Sequence, residues 1–194
     1  MGEKSVQKKQ FIVETARQVF VEKGFKNVTM KDIVDACGIS RGGLYLYFDS
    51  TEALFREVLE TERMENYDPL PDGFPDNAGA ADMLLFFLRE QKRDILRRKN
   101  CLAVATYEYF FEAKLPKREN PMCTRFSEMV DMLTGLLCAG VESGEFCCVD
   151  PEGAARNLFY VLEGLRVSAQ TMGLSESMVD RELMYVLQGL VYEE

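Results

Sequence analysis

The chain contains no histidine. That removes the Ser-His and Cys-His pairs of nucleophilic catalysis, and with them the commonest metal ligand. Its six cysteines, Cys37, Cys101, Cys123, Cys138, Cys147 and Cys148, include no C-x-x-C pair, so the usual four-cysteine zinc site is not encoded. No stretch reaches the roughly 18 consecutive apolar residues of a membrane-spanning helix. Met1-Gly2-Glu3-Lys4-Ser5 at the N-terminus lacks the apolar core of a secretory signal. Strand-like alternation and internal repeats are also missing. These gaps argue against an enzyme, a cofactor, a metal centre and a membrane protein. A cytoplasmic location with mostly reduced thiols is the expectation.

What is there is helical periodicity. The chain has 194 residues, 47% of them hydrophobic, enough for one large or two small packed domains. The net charge of −9 hides an asymmetry: residues 1–48 hold eight Lys/Arg against five Asp/Glu (+3), and residues 49–194 hold fifteen against twenty-seven (−12). Such a chain meets a polyanion through one end only, because its acidic bulk is repelled.

Residues 8–23 carry Ile12, Ala16, Val19 and Phe20 as an apolar stripe, and Gly24-Phe25 ends that helix. Thr29-Met30-Lys31-Asp32 has the form of a capping box for a second helix, with Ile33 and Ala36 inward and Gly38 as its stop. Ser40 caps a third helix after the tight Gly38-Ile39 turn. Helix, short glycine turn and short helix make a helix-turn-helix.

The third segment, Ser40-Arg41-Gly42-Gly43-Leu44-Tyr45-Leu46-Tyr47-Phe48, organises the rest. Each glycine costs a helix about 1 kcal/mol relative to alanine, so two of them imply room for another backbone. Leu44 and Phe48 share one face and anchor the segment. The hydroxyls and the guanidinium on the other side suit phosphates and base edges. We read it as a recognition helix.

Ser50 opens a fourth helix running to about residue 66. The stretch 67–77, with three prolines, is the clearest punctuation in the chain. Further helical patterns cover 78–99, 102–114 and 122–142. Asp150-Pro151-Glu152 starts another that runs to about 172, and the last covers 176–192. The expected fold is all-α, with about nine helices.

In the order and spacing of Ala16, Phe20, Gly24-Phe25, Thr29, Ile33, Ala36, Gly38-Ile39-Ser40, Leu44-Tyr45, Tyr47-Phe48 and Ser50 to Phe55, the sequence resembles the tetracycline-repressor (TetR) family of transcriptional regulators. Gly140 to Phe146, followed by Asp150-Pro151-Glu152, resembles the family's junction before its last two helices. The resemblance implies a DNA-binding domain over 1–50 and a helical ligand-binding and dimerisation domain over 51–194, with 51–66 as connecting helix. It implies double-stranded operator DNA, a small-molecule effector and a second copy of the chain as partners. The most common family behaviour is a repressor released from a palindromic operator when ligand shifts the two DNA heads.

By this resemblance Thr29, Ser40, Tyr45, Tyr47 and Thr51 hold phosphates, while Arg41, Gly42 and Gly43 lie nearest the bases. Arg41 suits a fork onto guanine as well as a phosphate clamp. The family often carries Lys at the position of Thr51 and Thr at that of Gly43, so fewer charged contacts and closer backbone approach are expected.

Phe87, Tyr107, Phe110, Phe111, Phe126, Met129 and Phe159 are candidates for an apolar effector pocket, with ordinary core as the plainer reading of part of the set. Glu108, Glu112 and Glu163 beside them read as solvated acids, or as partners of a lipophilic cation. Leu158, Leu162, Leu165, Leu183, Val186 and Leu190 recur at helical spacing; they are core in a monomer, and the resemblance makes them half of an intermolecular four-helix bundle. Two alternatives stand beside this reading: a thiol or soft-metal sensor of the same fold using Cys147 and Cys148, and a helical enzyme or carrier without DNA binding.

Overall fold

The computed structural model describes residues 2–65, 78–97 and 101–190. The punctuation at 67–77 and the expected helix ends at 66, 98–99 and 191–192 lie outside the described residues. Every regular element among the described residues is helical. In order they are α1 (Glu3–Lys23), α2 (Met30–Cys37), α3 (Arg41–Tyr45), α4 (Thr51–Glu65), α5 (Ala80–Leu96), α6 (Ala103–Ala113), a 3-10 turn (Lys117–Glu119), α7 (Pro121–Ser143), α8 (Pro151–Thr171) and α9 (Glu176–Gln188).

The termini follow local chemistry. At α2, Thr29 Oγ1 accepts from Asp32 N (3.3 Å) and Asp32 Oδ2 accepts from Thr29 N (2.8 Å), which closes the capping box. Gly38 ends α2 in the left-handed region (φ 63°), where a side chain would be strained. Ser50 Oγ accepts from Ala53 N (3.0 Å) at the start of α4. Asp150 Oδ1 accepts from Gly153 N (2.9 Å), with Pro151 at the first helical position of α8.

Two spans differ from expectation. α1 begins at Glu3, five residues before position 8, so Lys8 and Lys9 lie inside the helix rather than at its positive end. In α2 Cys37 is buried beside Ile33 while Ala36 is exposed. The inward stripe there runs i, i+4 rather than i, i+3.

The chain gathers into two compact units. One consists of α1–α4 with α6, the other of α5 and α7–α9. In the first, Phe20, Phe25, Phe55 and Tyr109 interlock. The Phe20–Phe55 centroids lie 4.6 Å apart, Phe25–Phe55 5.0 Å, Phe25–Tyr109 5.0 Å and Phe55–Tyr109 5.3 Å. Full burial of each such ring is worth roughly 2–3 kcal/mol, so α4 and α6 are part of this core. The packing therefore divides the chain differently from a boundary after residue 50.

α6 is also fastened by its acids. Glu108 Oε2 accepts from Lys26 N (3.1 Å), and Glu112 pairs with Lys26 Nζ (3.0 Å). Gly24 (φ 73°) leaves the space that Glu108 fills, since a Cβ there would lie 2.5 Å from its Oε2. Both acids hold the turn between α1 and α2.

The second unit has its own core, formed by Leu84, Phe87, Leu88 and Ile95 of α5, Val130, Leu133 and Leu137 of α7, and the inner faces of α8 and α9. Glu145 ties α7 to α5: its carboxylate accepts from Ala80 N (3.1 Å), Ala81 N (2.9 Å) and Ser143 Oγ (2.8 Å). Those donors hold its carboxyl below the ordinary glutamate range.

Candidate nucleic-acid interface and effector region

The recognition segment forms a helix of little more than one turn. Ser40 Oγ accepts from Gly43 N (3.1 Å), which leaves the Ser40 hydroxyl proton available to a phosphate. Leu44 is fully buried and Phe48 nearly so, which fixes the segment against the core of the first unit. Arg41 is exposed, and its guanidinium carbon stands 5.5 Å from the Tyr45 ring centroid. Tyr45 remains 41% exposed under it. A guanidinium stacked on a phenol is a stiffened donor set rather than a free-swinging arm.

The two glycines differ. A Cβ at Gly42 would meet nothing within 4 Å, whereas one at Gly43 would lie 3.1 Å from Ser40 Oγ. Gly43 thus serves the cap, and Gly42 leaves open space on the solvent side. Tyr47 is half-buried with its hydroxyl 3.3 Å from Ser5 Oγ, which ties it to the start of α1. Thr51 is half-buried as the first residue of α4. Thr29 is exposed, but its hydroxyl proton goes to Asp32 Oδ2 (2.6 Å). Its role is therefore that of a helix cap, with no proton left to give.

The charge of this unit is partly absorbed internally. Lys9 pairs with Glu57 (2.5 Å) and lies 5.7 Å from the Phe48 centroid, and Lys23 pairs with Asp32 (2.6 Å). Lys4, Lys8, Lys31 and Arg41 are exposed and enter no ion pair among the described residues. Sequence reasoning missed Leu46. It is the most exposed large apolar residue described in this unit, at 83%. The only available signal was its position two residues after Leu44, on the opposite face.

The effector candidates do not fall into one group. Tyr107 and Phe110 are half-buried on α6 and Phe111 is 78% exposed there, all in the first unit. In the second unit Phe87 and Phe159 are buried core. Phe126 is half-buried with its ring 5.0 Å from that of Phe159, and Met129 packs half-buried against the same core. Glu163 is neither solvated nor waiting for a cation: Arg166 (2.8 Å) and Arg125 (3.3 Å) pair with it. A cleft of about 470 Å³ lies between α8 and α9, lined by Val161, Gly164, Leu165, Ser168, Met172, Leu174, Met178, Arg181 and Glu182.

Leu158, Leu162, Leu165, Leu183 and Leu190 are buried in the second unit's own core, with Val186 packed partly buried against it. This is the monomer reading of the stripe: the side chains pack within the chain. The apolar groups that α8 and α9 do expose are Tyr160, Val167, Met172, Met178, Met184 and Tyr185.

Cys147 and Cys148 are half-buried, Cys147 N donates to Leu190 O (2.9 Å), and Cys148 packs on the core. Burial pushes the Cys37 thiol up, away from the reactive thiolate. No group of three or more His, Cys, Asp or Glu that would hold a metal occurs among the described residues. No helix there is long and apolar enough to cross a membrane.

A capped helix-turn-helix with exposed cations, joined to a separate helical unit, defines a DNA-binding regulator. The family models agree. "Bacterial regulatory proteins, tetR family" matches residues 12–58, and "Tetracyclin repressor-like, C-terminal domain" matches residues 83–180. The chain is 34% identical over 181 residues to YfiR of Bacillus subtilis (strain 168), described as an uncharacterized HTH-type transcriptional regulator, covering 86% of this chain and 85% of that one. YerO of the same organism is 43% identical over 54 residues, 28% of this chain and 19% of its own. A TetR/AcrR-family transcriptional regulator from Thermobifida fusca superposes with a TM-score of 0.74 at 25% identity, covering 97% of this chain and all (100%) of that one. Escherichia coli NemR in its reduced form shares the fold, with a TM-score of 0.76 at 17% identity over 96% of this chain and 100% of its own.

The chain belongs to the TetR family of transcriptional regulators. It is a ligand-responsive DNA-binding regulator and not an enzyme. The thiol-sensor and carrier alternatives are not favoured.

Proposed function

We propose that the protein is a cytoplasmic, homodimeric repressor released from a palindromic operator by a small, largely apolar effector. The observation that carries the DNA contact is the outward face of α3: a stacked Arg41–Tyr45 pair beside an open Gly42, on a helix anchored by buried Leu44. In this reading Ser40, Tyr45, Tyr47 and Thr51 hold phosphates, Gly42 and Gly43 admit the bases, and Arg41 reaches a base edge or phosphate. Thr29 stays in the set through the helix start it caps. Two copies place two such helices on one face of the duplex, so the site they read has two-fold symmetry. The exposed Tyr160, Val167, Met172, Met178, Met184 and Tyr185 supply the apolar surface for the second copy.

The effector reading rests on the half-buried Tyr107 and Phe110 of α6, with Phe111 exposed beside them; Phe87, Phe126, Met129 and Phe159 belong to the second unit's own packing. Release follows if ligand displaces α6. Tyr109 is wedged among the head's aromatics, and Glu108 and Glu112 grip Lys26, so α6 cannot move without disturbing the seat of α1 and α2.

Selection of binding sites from random duplex DNA at stated salt tests the reading. The wild type is expected to recover a palindrome, and Arg41→Ala with Tyr45→Ala to lose affinity for it at least tenfold. Unchanged affinity in the double variant refutes the assignment of α3 as the DNA-facing helix.

A further inference from the structure

Successive residues of an α-helix are about 100° apart in projection. Arg41, Gly42, Tyr45 and Leu46 therefore span an arc of about 140° on α3, with Leu46 nearly opposite the buried Leu44. Leu46 keeps helical dihedrals (φ −68°, ψ −21°), and its N–H donates to Gly42 O at 3.2 Å, so it stands one turn above Gly42. Gly42 has no side chain, and a Cβ there would meet nothing within 4 Å. Leu46, 83% exposed, thus stands one turn from open, side-chain-free backbone at Gly42, while Arg41 and Tyr45 stack beside it.

A single exposed leucine is ordinary on a protein surface. This one is distinguished by what flanks it. An exposed apolar side chain beside open, side-chain-free backbone, next to a guanidinium, has the room and polarity to take a small apolar group carried on a polar edge. In the major groove the one such group is the 5-methyl of thymine. We infer that Leu46 reads a thymine in each half-site, its δ-methyls packing on the 5-methyl seated over Gly42. This rests on α3 being the DNA-facing helix.

The test uses the full-length protein and the operator recovered by selection. Each operator thymine is replaced in turn by uracil, which lacks the 5-methyl, and binding of wild type and Leu46→Ala is compared. Loss of one buried methyl is expected to weaken the wild type by about fourfold per half-site at one position. Leu46→Ala is expected to bind the thymine operator at least that much more weakly, and to be nearly indifferent to the uracil change at that position. An operator without thymine, a Leu46→Ala affinity equal to wild type, or uracil penalties equal in both proteins each overturns the proposal. If the wild type recovers no sequence at all, it is the reading of α3 that fails rather than the thymine contact.

Discussion

Gly140 provides a sharp test of how the second unit is packed. It lies in the last turn of α7, buried, beneath the ring of Phe146. A Cβ built on it would sit 2.9 Å from Phe146 Cγ and closer still to Cδ2 and Cε2. The ring has nowhere to go: it is 5% exposed, and its backbone is held by Phe146 N to Gly140 O (3.0 Å) and Glu145 N to the same oxygen (2.8 Å). Gly140→Ala gains about 1 kcal/mol from helix propensity. Against that stands an overpacking cost of about 1–3 kcal/mol, bounded by the roughly 3 kcal/mol of expelling a buried phenylalanine. The expected net loss is about 0–2 kcal/mol. Gly135 in the same helix is exposed, and a Cβ there meets nothing within 4 Å. Gly135→Ala should therefore stabilise by about 0.5–1 kcal/mol. The two variants should differ by about 0.5–3 kcal/mol, at about 2–4 °C in midpoint per kcal/mol for a chain of this size. Thermal unfolding followed by far-ultraviolet circular dichroism reads the difference. Equal midpoints, or Gly140→Ala the more stable, would refute the packing argument.

Two further outcomes follow from the caps. Glu145, its carboxyl held below the ordinary range by Ala81 N, Ser143 Oγ and Ala80 N, contributes stability that is fully present above the unfolded glutamate pKa and is lost as pH falls through the lower folded value. Glu145→Gln should lower stability at neutral pH and flatten the acid limb below about pH 4.5; an unaltered acid limb in denaturation midpoints against pH counts against the cap. Thr29→Ala should destabilise α2 and weaken operator binding through loss of the Asp32 box, with hydrogen exchange rising first in the α2 amides; unchanged exchange there would show that the box is not holding the helix.

The helix-turn-helix was legible because its signals are local: Thr29 with Asp32, Gly38, Ser40, and Leu44 with Phe48 act within a few residues of chain. Helix starts at Ser50 and Asp150 were readable for the same reason. What was not legible needed distant partners. The aromatics of 102–114 give the same periodicity whichever core they join, and only the fit of Tyr109 among Phe25 and Phe55 commits α6 to the head. Glu108, Glu112 and Glu163 look alike in sequence, yet all three are paired, the first two to Lys26 and the third to arginines. The leucine stripe of α8 and α9 carries one pattern with two physical meanings, and it is spent inside the chain. For Leu46 the sequence offers only a position two residues after Leu44, on the opposite face and past the end of α3, and its exposure is a tertiary property.

The first unit is stitched from two separated lengths of chain, and in sequence α5, which belongs to the second unit, lies between those lengths. DNA-reading heads are tempting modules to exchange between relatives, and the natural cut falls after α4. Such a chimera would inherit the Phe25 and Phe55 rings without Tyr109, and Lys26 without the two carboxylates that hold it. A working transplant must carry α6 across as well, even though it lies some forty residues further along the gene product. In proteins built this way, the reading head is not one continuous segment that can be cut out, because a helix from beyond the cut is a structural part of it.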